Sequence, residues 1–314
     1  MARAIRIHRP GGPDVLTLED VDPGQPGAGE VLVKHTAIGV NFVDTYQRSG
    51  LYPVKLPSGL GSEAAGVVES VGPDVSDLRP GDRVAYASAG LGGYSDARVV
   101  AADRLLKLPE GVSDETAATI LLKGMTSEYL IRRTYPVKHG DTVLFHAAAG
   151  GVGSIACRWL KALGARVIGT TGSDAKAALA RENGCDEVIV YTREDFVART
   201  RDLTNGRGVD VVYDSVGKDT LLKSLDCLVT RGLLVSFGNA SGKPDPLELL
   251  LLSQKGSLYV TRPNLAHYVQ KREELEACAA ALFSAYEAGH VPVVVGQRFP
   301  LERAADAHRA LESR

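Results

Sequence analysis

The sequence predicts an α/β protein in which a doubly wound, six-stranded parallel sheet is inserted in a mainly-β domain, and two observations indicate this fold. From residue 1 to about 110, short β-type runs such as "RAIRIH" and "DRVAYAS" are separated by glycine and proline, which is typical of an irregular antiparallel or barrel-like domain. Further on, apolar strands alternate with helical segments. Continuous apolar strands joined by crossover helices specify a parallel sheet.

The change between the two patterns falls at "SDETAATILLKGMTSEYLIRR", which has helical spacing with Ser113 as the candidate N-cap. The strands that follow are "DTVLFHA", "RVIGTT", "EVIVY", "VDVVYDS", "LLVSFG" and "SLYVTR". The helices expected between them cover residues 153–163, 174–183, 193–203, 218–229 and 246–254. Six such strands make a complete doubly wound nucleotide-binding sheet.

The remainder of the chain, from about residue 265, is too short to form a core of its own. It carries one amphipathic helix, a strand "VPVVVGQRF" and a last helix "LERAADAHRALESR". The apolar stripe of the first helix consists of Leu275, Cys278, Ala279, Leu282, Phe283 and Tyr286. We expect this tail to pack back onto the first domain, which gives domains at 1–124, 125–263 and 264–314.

Composition excludes several classes of function. The 314 residues carry a formal net charge of −2, so we expect neither a polyanion-binding surface nor nucleic acid as a partner. Four widely spaced cysteines form no C-x-x-C pair and fit a reducing compartment. The start, "MARAIRIHRPGG", lacks the apolar core of a signal peptide, and no run is long enough to cross a bilayer. We therefore expect a cytoplasmic protein without a membrane partner.

The segment "FHAAAGGVGSIACRW" indicates a dinucleotide site. Ala148, Gly150 and Gly153 occupy the three positions of a G-x-G-x-x-G turn, with Gly151 and Val152 between them. An apolar strand precedes the turn and a helical pattern follows it. Residues without bulk let the backbone approach a pyrophosphate, and the new helix directs N–H groups and its positive dipole end there. The alternative is a strand-to-helix turn with glycine for packing alone.

The end of the second strand indicates which dinucleotide is bound. Proteins that prefer NAD usually place an acidic residue here for the ribose 2′-hydroxyl. In this chain residues 170–173 read "TTGS" and Lys176 follows, a combination that accepts a 2′-phosphate and favours NADP(H). Asp174 either weakens this preference or faces water in the first turn of the helix.

Nearly the whole chain resembles the zinc-free quinone oxidoreductases of the medium-chain dehydrogenase/reductase superfamily, the group that includes zeta-crystallin. The motifs are "AIGVNFVDTYQRSGLYP", "LPSGLGSEAAGVV", "GDRVAY", "LLKGMTSEYL", "HAAAGGVG", "VVYDSVG", "SFGNASG" and "KGSLYVTRP". The resemblance implies a Rossmann domain inserted in a GroES-like catalytic domain. It also implies NADPH-dependent quinone reduction, by hydride or single-electron transfer, in the cleft between the domains.

Zinc-containing relatives have cysteine where this chain has Val40-Asn41, and G-H-E where it has Gly61-Ser62-Glu63. Because zinc needs three or four ligands, we expect no metal and no Lewis-acid assistance. Substrates are then already electrophilic, namely quinones or α,β-unsaturated carbonyls. Two alternatives remain open: an enal or enone reductase, and a non-catalytic NADPH-binding or RNA-binding protein similar to a crystallin.

The resemblance also implies individual site residues. Asn41, Tyr46 and Tyr52 lie beside the reacting groups. Asn41 donates to the substrate carbonyl, and a tyrosine flanks a planar quinone and donates to developing charge, unless these aromatic rings only pack. The final proton comes from water or Tyr52.

Around the cofactor, Lys123 and Thr126 approach the nicotinamide ribose and carboxamide, and Arg314 also contacts the cofactor. The 2′-phosphate contacts are Gly172, Ser173, Lys176 and Tyr191. The loops that line the cofactor from the fourth and fifth strands contain Ser215, Gly217, Phe237, Gly238 and Asn239. The family forms homodimers through the last sheet strands, so "SLYVTR" is the expected edge. Relatives usually continue past "ESR" into a short apolar strand, and we expect that strand to be missing here or replaced by another segment.

Overall fold

In the computed structural model, which describes residues 1–313, the apolar segments after residue 141 form six parallel strands. These strands are β9 (Thr142–Phe145), β10 (Arg166–Thr171), β11 (Glu187–Val190), β12 (Val209–Asp214), β13 (Leu228–Ser236) and β14 (Tyr259–Thr261). Their order in the sheet is β11-β10-β9-β12-β13-β14. This is the doubly wound order, so the predicted fold class is confirmed, and the strand order reverses between β9 and β12.

The first part of the chain forms antiparallel sheets, as its short punctuated runs predict. Its strands are β1 (Ala2–Ile7), β2 (Thr17–Val21), β3 (Glu30–Gly39), β4 (Ser58–Gly59), β5 (Glu63–Val71), β6 (Arg83–Ala87), β7 (Ala97–Ala101) and β8 (Leu106–Lys107). A five-stranded sheet has the order β7-β3-β5-β6-β8, and a three-stranded sheet has the order β2-β1-β4. Val33, Val84 and Tyr86 are buried in the core of the larger sheet.

The helices are α1 (Phe42–Ser49), α2 (Asp114–Tyr129), α3 (Gly151–Ala162), α4 (Asp174–Glu182), α5 (Phe196–Leu203), α6 (Leu221–Ser224), α7 (Leu249–Gln254), α8 (Leu265–Tyr268), α9 (Arg272–Glu287) and α10 (Ala304–Ser313). Ser113 caps α2 as predicted, because its Oγ accepts the Thr116 N–H at 3.0 Å. The helix predicted from 193 begins at Phe196, since the Asp195 carboxylate accepts the N–H groups of Val197 and Ala198. No helix within residues 1–313 combines the length and apolar character needed to cross a membrane.

Two compact units divide the chain. The first unit contains Met1–Leu122, Lys271–Ala279 and the residues from Val293 onward, and the second contains Lys123–Gln270 and Ala280–Pro292. The domain boundaries expected at residues 124 and 263 stay predictions beside this division.

Two expectations about secondary structure are wrong. Residues 291–299, expected as a strand, form none, and the Val294 side chain is 69% exposed. Valine favours a strand only where a partner strand and a packing surface are available, and the structure records no pairing for this segment. The helix expected over 218–229 is reduced to α6 and a short 3-10 turn, because Leu228 begins β13.

Candidate functional site

The glycine turn of the second unit is built from main chain. It lies between β9 and α3, with Gly150 as the N-cap of α3. A Cβ atom added at Gly153 would lie 2.4 Å from the carbonyl oxygen of Ala147 and 2.7 Å from that of Ala148. Ala147 itself has a φ of +53°. The turn therefore tolerates no side chain at the third position of the glycine pattern.

Alanine replaces the first glycine of the turn for a packing reason. Ala148 is fully buried, and a Cβ atom added at Gly169 of β10 would lie 2.7 Å from its methyl group. The Ala148 methyl group fills the space that a glycine here would leave, and Gly169 of the neighbouring strand makes room for it by having no side chain. Sequence reasoning found Ala148 but not Gly169.

The start of α3 has the properties of an anion site. Gly150 has no side chain and makes no capping bond, so the N-cap residue leaves the N–H groups of the first turn, which includes Gly151, Val152 and Gly153, to other partners. The helix dipole adds partial positive charge at the same point. A pyrophosphate therefore fits a cradle that a single Cβ atom at Gly153 would fill.

The ends of β10 and β11 bring together the residues predicted for a 2′-phosphate. Ser173 is the N-cap of α4, and its Oγ accepts the Lys176 N–H at 3.4 Å. A Cβ atom added at Gly172 would lie 2.8 Å from the Tyr191 hydroxyl. Thr192 Oγ1 donates to the Gly172 carbonyl at 3.3 Å. Four predicted residues thus share one corner of the sheet.

Asp174 and Arg193 form an ion pair at this corner. Both guanidinium arms of Arg193 donate to the Asp174 carboxylate, each at 2.7 Å. The Asp174 side chain lies in the first turn of α4 and is 73% exposed, as one of the two readings of the sequence predicted. Sequence reasoning missed Arg193, although its position two residues after Tyr191 was an available signal.

The loops after β12 and β13 support each other. The buried Asp214 carboxylate accepts the N–H groups of Val216 at 2.8 Å and Gly217 at 3.0 Å, so it fixes the loop that contains Ser215. A Cβ atom added at Gly238 would lie 2.4 Å from the Ser215 carbonyl oxygen. Sequence reasoning missed Asp214, whose signal is an aspartate followed within three residues by glycine.

Phe237 and Asn239 belong to the same pair of loops. The Phe237 ring contacts Phe145 of β9, with ring centroids 5.9 Å apart, and a Cβ atom added at Gly217 would lie 3.2 Å from Asn239 Cα. Arg262 donates to Ser236 Oγ at 2.8 Å and to the Gly238 carbonyl at 2.9 Å. The predicted residues of both loops therefore lie together at the carboxyl edge of the sheet.

Lys123 lies against the glycine turn through its aliphatic chain. A Cβ atom added at Gly151 would lie 2.8 Å from Lys123 Cδ. Ser127 Oγ, one helical turn later, donates to the Lys123 carbonyl at 2.9 Å and to the Val152 carbonyl at 3.4 Å. Thr126 is half-buried on the same helix. Arg314 lies outside the described residues.

In the first unit, two carboxylates hold Asn41 at the start of α1. Its backbone N–H donates to Asp44 Oδ2 at 2.8 Å, and its side-chain Nδ2 donates to Glu63 Oε2 at 2.8 Å. Glu63 Oε1 accepts the Leu122 N–H at 2.6 Å. Gly39 permits this approach, because a Cβ atom there would lie 2.2 Å from Glu63 Oε2. The Asn41 amide therefore has one N–H committed and a fixed orientation.

Asp44 is fully buried and hydrogen-bonded to side chains from distant segments. Tyr94 Oη donates to its Oδ2 at 2.9 Å, and Ser62 Oγ donates to Oδ1 at 3.4 Å. Burial raises the Asp44 pKa to about 7, the hydrogen bonds oppose this shift, and repulsion from Glu63 adds to it. The group that fixes the Asn41 backbone therefore titrates near neutral pH.

A relay continues from Tyr94 to the last helix. Tyr94 Oη lies 3.0 Å from His308 Nε2, and Arg48 Nη1 lies 2.9 Å from His308 Nδ1. Arg48 also binds Glu312 through both arms, at 2.6 and 3.1 Å. Burial and the Arg48 charge lower the His308 pKa to about 4, so His308 is neutral at pH 7. Because Arg48 can only donate, Nδ1 accepts and Nε2–H donates to Tyr94.

We call Asp44, Glu63, Tyr94, His308 and Arg48 the buried polar cluster. Sequence reasoning missed the cluster, because its members come from separate segments. It named Glu63 only as part of the segment that stands in place of a zinc-binding motif.

Tyr46 and Tyr52 pack against each other. Their ring centroids are 5.3 Å apart in an edge-to-face arrangement, and the Tyr52 N–H donates to the Tyr46 carbonyl at 3.0 Å. Both side chains are half-buried. Asn41 is the N-cap of α1 and Tyr46 lies on that helix. Tyr52 packs against Tyr46 in the loop that follows.

Among residues 1–313, no three or more His, Cys, Asp and Glu side chains are grouped so that they could hold a metal ion.

A mainly-β unit together with a doubly wound nucleotide-type sheet defines the medium-chain dehydrogenase/reductase class. Residues 27–110 match the family described as "Alcohol dehydrogenase GroES-like domain", and residues 151–296 match "Zinc-binding dehydrogenase".

Relatives that align over the full chain show to which family of this class the protein belongs. The quinone oxidoreductase of Pseudomonas aeruginosa is 54% identical, with 100% of this chain and 97% of the relative covered. The structure of Escherichia coli quinone oxidoreductase complexed with NADPH has a TM-score of 0.97 at 51% identity, covering 100% and 97% of the two chains. A 2-haloacrylate reductase of a Burkholderia species is 47% identical, covering 100% and 96%. The chain belongs to the quinone oxidoreductase family.

Proposed function

We propose that the protein is an enzyme that reduces quinones with NADPH. The observation that carries this function is the sequence identity of 52–54%, over the full chain, between this protein and quinone oxidoreductases. The structure of one such relative has been solved with NADPH. The turn at residues 147–153 supports it, since it offers main chain and a helix N-terminus to a pyrophosphate.

The geometry of the second unit supports an assignment of the residues that would hold NADPH. We assign the pyrophosphate to the turn formed by Ala148, Gly150, Gly151, Val152 and Gly153. The 2′-phosphate is assigned to Gly172, Ser173, Lys176 and Tyr191. Lys123 and Thr126 and the loops containing Ser215, Gly217, Phe237, Gly238 and Asn239 take the nicotinamide side. NADPH supplies the reducing equivalents, as a hydride or as single electrons.

The chain's own chemistry at the substrate is hydrogen bonding. The Asn41 amide has a second N–H besides the one committed to Glu63, and we assign it to the oxygen of the quinone. The hydroxyls of Tyr46 and Tyr52 are further donors, with Tyr52 or water delivering the proton. Donors aimed at an oxygen that gains negative charge lower the barrier most when they are held in place beforehand, and the buried polar cluster holds Asn41 in this way.

The rate of NADPH oxidation tests the function. Purified protein is assayed with 1,4-benzoquinone, with 9,10-phenanthrenequinone and with an alkenal. We expect turnover with the quinones and little with the alkenal. Turnover with the alkenal alone would replace this proposal by an alkenal reductase, and no oxidation with any of the three would contradict both.

Fluorescence titration tests the cofactor assignment. We expect NADPH to bind more tightly than NADH, and Lys176→Ala to remove most of the difference, because a charge-assisted contact is worth about 1.5–3 kcal/mol before screening. Equal affinities in the unmodified protein would contradict the assignment of the 2′-phosphate.

Two further proposals concern assembly and location. We propose a homodimer through β14, which is the last strand of the sheet and exposes 60% of Tyr259, because exposed edge strands are usually covered. Sedimentation analysis should give a dimer that Tyr259→Asp converts to a monomer.

We also propose a cytoplasmic location, which four buried free cysteines support. Cell fractionation checks this location.

A further inference from the structure

The turns after β10 and β11 are held together by three contacts. The Tyr191 N–H donates to the Thr171 carbonyl at 3.1 Å, and Thr192 Oγ1 donates to the Gly172 carbonyl at 3.3 Å. Arg193 then binds Asp174 through both arms at 2.7 Å. The side chain of Arg193 thereby pairs with Asp174, the residue that follows Ser173 at the corner assigned to the 2′-phosphate.

Asp174 creates a conflict at this corner. It follows Ser173, the N-cap of α4, and it precedes Lys176 by two residues. An acidic residue near the end of the second strand usually selects against a 2′-phosphate by repulsion. Two neighbours therefore favour the phosphate, and the residue between them opposes it.

We propose that Arg193 is a specificity-determining residue: by pairing with Asp174 it neutralises the carboxylate beside Ser173, so that the corner accepts the 2′-phosphate of NADPH. This inference rests on the proposed function. The Arg193 guanidinium also holds the pKa of the Asp174 carboxyl below its ordinary value, in agreement with a close pair. Lys176 and Tyr191 would then contact the phosphate without competition from an uncompensated negative charge.

The pair is well suited to a test because it is exposed, with 57% of the Arg193 and 73% of the Asp174 side chain accessible. Exposed ion pairs contribute little to folding stability. Removing Arg193 should therefore change the charge of the corner without unfolding the second unit.

The experiment measures dissociation constants of NADPH and NADH by fluorescence for the unmodified full chain and for Arg193→Ala. We expect Arg193→Ala to weaken NADPH about fivefold to tenfold at low ionic strength, because Asp174 then faces the phosphate unpaired, and to change NADH less than about twofold. The NADPH effect should shrink at high salt. Adding Asp174→Asn to Arg193→Ala should restore NADPH affinity to within about twofold.

Arg207→Ala is the matched control. Arg207, whose side chain is 58% exposed, pairs at 2.6 Å with Asp210, whose side chain is 16% exposed, but Arg207 precedes β12 and so lies at the opposite edge of the sheet. The Arg207→Ala variant loses the same positive charge as Arg193→Ala, and its affinity for NADPH should equal that of the unmodified protein. A comparable loss in Arg207→Ala would show a general charge effect and overturn the inference.

Other outcomes separate this inference from the proposed function. If the unmodified protein prefers NADPH and Arg193→Ala leaves that preference unchanged, or weakens both nucleotides equally, only the role of Arg193 is overturned. Weak NADPH binding that persists in the double variant would also overturn it, because neutralisation of Asp174 would not be the cause. If the unmodified protein binds no NADPH, both fail.

Discussion

The glycine turn of the second unit and the buried polar cluster of the first prepare their sites by opposite means. Between residues 147 and 153 the chain removes side chains, so that carbonyl and N–H groups define the surface. Around Asn41 the chain buries ionisable side chains that are held by hydrogen bonds of 2.6–3.1 Å. A large anionic ligand needs space and N–H groups, whereas a small electrophile needs a few donors held in fixed directions.

The two regions should therefore differ in what disturbs them. The turn has no room for a methyl group at Gly153, but it contains no titratable side chain. The cluster contains a carboxyl group that titrates near neutral pH. We expect volume changes to act on the turn and charge changes to act on the cluster, and three variants test this difference.

The largest effect is expected for Gly153→Ala. The new Cβ atom would meet two carbonyl oxygens at 2.4 and 2.7 Å, and main chain cannot rotate away as a flexible side chain can. Overpacking of this kind costs about 1–3 kcal/mol. If the turn shifts to relieve it, NADPH affinity should fall about tenfold to a hundredfold. Fluorescence titration measures the affinity for NADPH, and thermal unfolding followed by circular dichroism measures the stability of the variant.

Gly111→Ala is the control for this variant. No atom lies within 4 Å of a Cβ atom added there, so neither NADPH affinity nor thermal stability should change. Unchanged NADPH affinity in Gly153→Ala would show that the backbone of the turn is not the binding surface.

The second prediction concerns charge in the cluster. Burial raises the Asp44 pKa to about 7 from an ordinary value of 3.8. Between these values the folded protein keeps a proton that the unfolded chain has released, so this group lowers the free energy of unfolding as the pH rises from about 4 to 7. Asp44→Asn removes the effect while keeping the side-chain shape. The amide N–H that this substitution introduces can donate to Ser62 Oγ. It replaces the hydrogen bond that Ser62 Oγ now donates to Asp44 Oδ1.

Two histidines act in the opposite direction. His308 is buried and His35 is half-buried. Burial is the largest cause that lowers the pKa of each to about 4 from an ordinary 6.5. Below about pH 6.5 the unfolded chain binds protons that the folded protein does not, so these groups raise stability as the pH rises from about 4 to 6.5. In the unmodified protein they offset Asp44. The informative quantity is therefore the difference between the variant and the unmodified protein.

That difference should grow in favour of Asp44→Asn by about 1.4 kcal/mol per pH unit, or about 2–3 kcal/mol between pH 5 and pH 7. Urea unfolding at several pH values measures it. Asp77→Asn, at an exposed position, should show no such trend. Parallel stability curves for Asp44→Asn and the unmodified protein would mean that Asp44 does not titrate in this window.

The sequence predicts the turn far better than the cluster, and the reason is physical. Gly150 and Gly153 report a local requirement of the backbone, and a strand before them and a helix after them complete the pattern within twenty residues. The six-stranded sheet was confirmed for the same reason, since each strand is one continuous apolar run. Periodicity failed at 291–299, where valines predict a strand but no partner strand is present.

The cluster depends on distances that no local pattern contains. Asp44 and Tyr94 are 50 residues apart, and Tyr94 and His308 are 214 residues apart. Only the folded sheets and α10 bring them together. Asn41 was predicted as a substrate contact, but its two carboxylate partners were not. Arg193 was missed for a related reason: its function depends on the neighbouring parallel strand rather than on its own segment.

The smallest effect is expected for Tyr94→Phe, which removes only the hydroxyl between Asp44 and His308. Asp44 loses one of its donors, and the Nε2–H of His308 loses its acceptor, in a region without access to solvent. Leaving a buried group unsatisfied costs about 1–3 kcal/mol, and some relaxation places the expected loss near 1–2 kcal/mol of unfolding free energy. Tyr286→Phe removes the same atom from a half-buried side chain that belongs neither to the buried polar cluster nor to β14, and it should cost much less.

The ring of Tyr94→Phe keeps its packing over Gly61, so NADPH affinity should be unchanged. The KM for the quinone should rise, because Asn41 becomes less ordered. Urea unfolding and steady-state kinetics separate these effects. Equal stability losses in the two tyrosine variants would show that the relay from Asp44 to His308 contributes nothing to the first unit, and the contrast between the turn and the cluster would then rest on Asp44 alone.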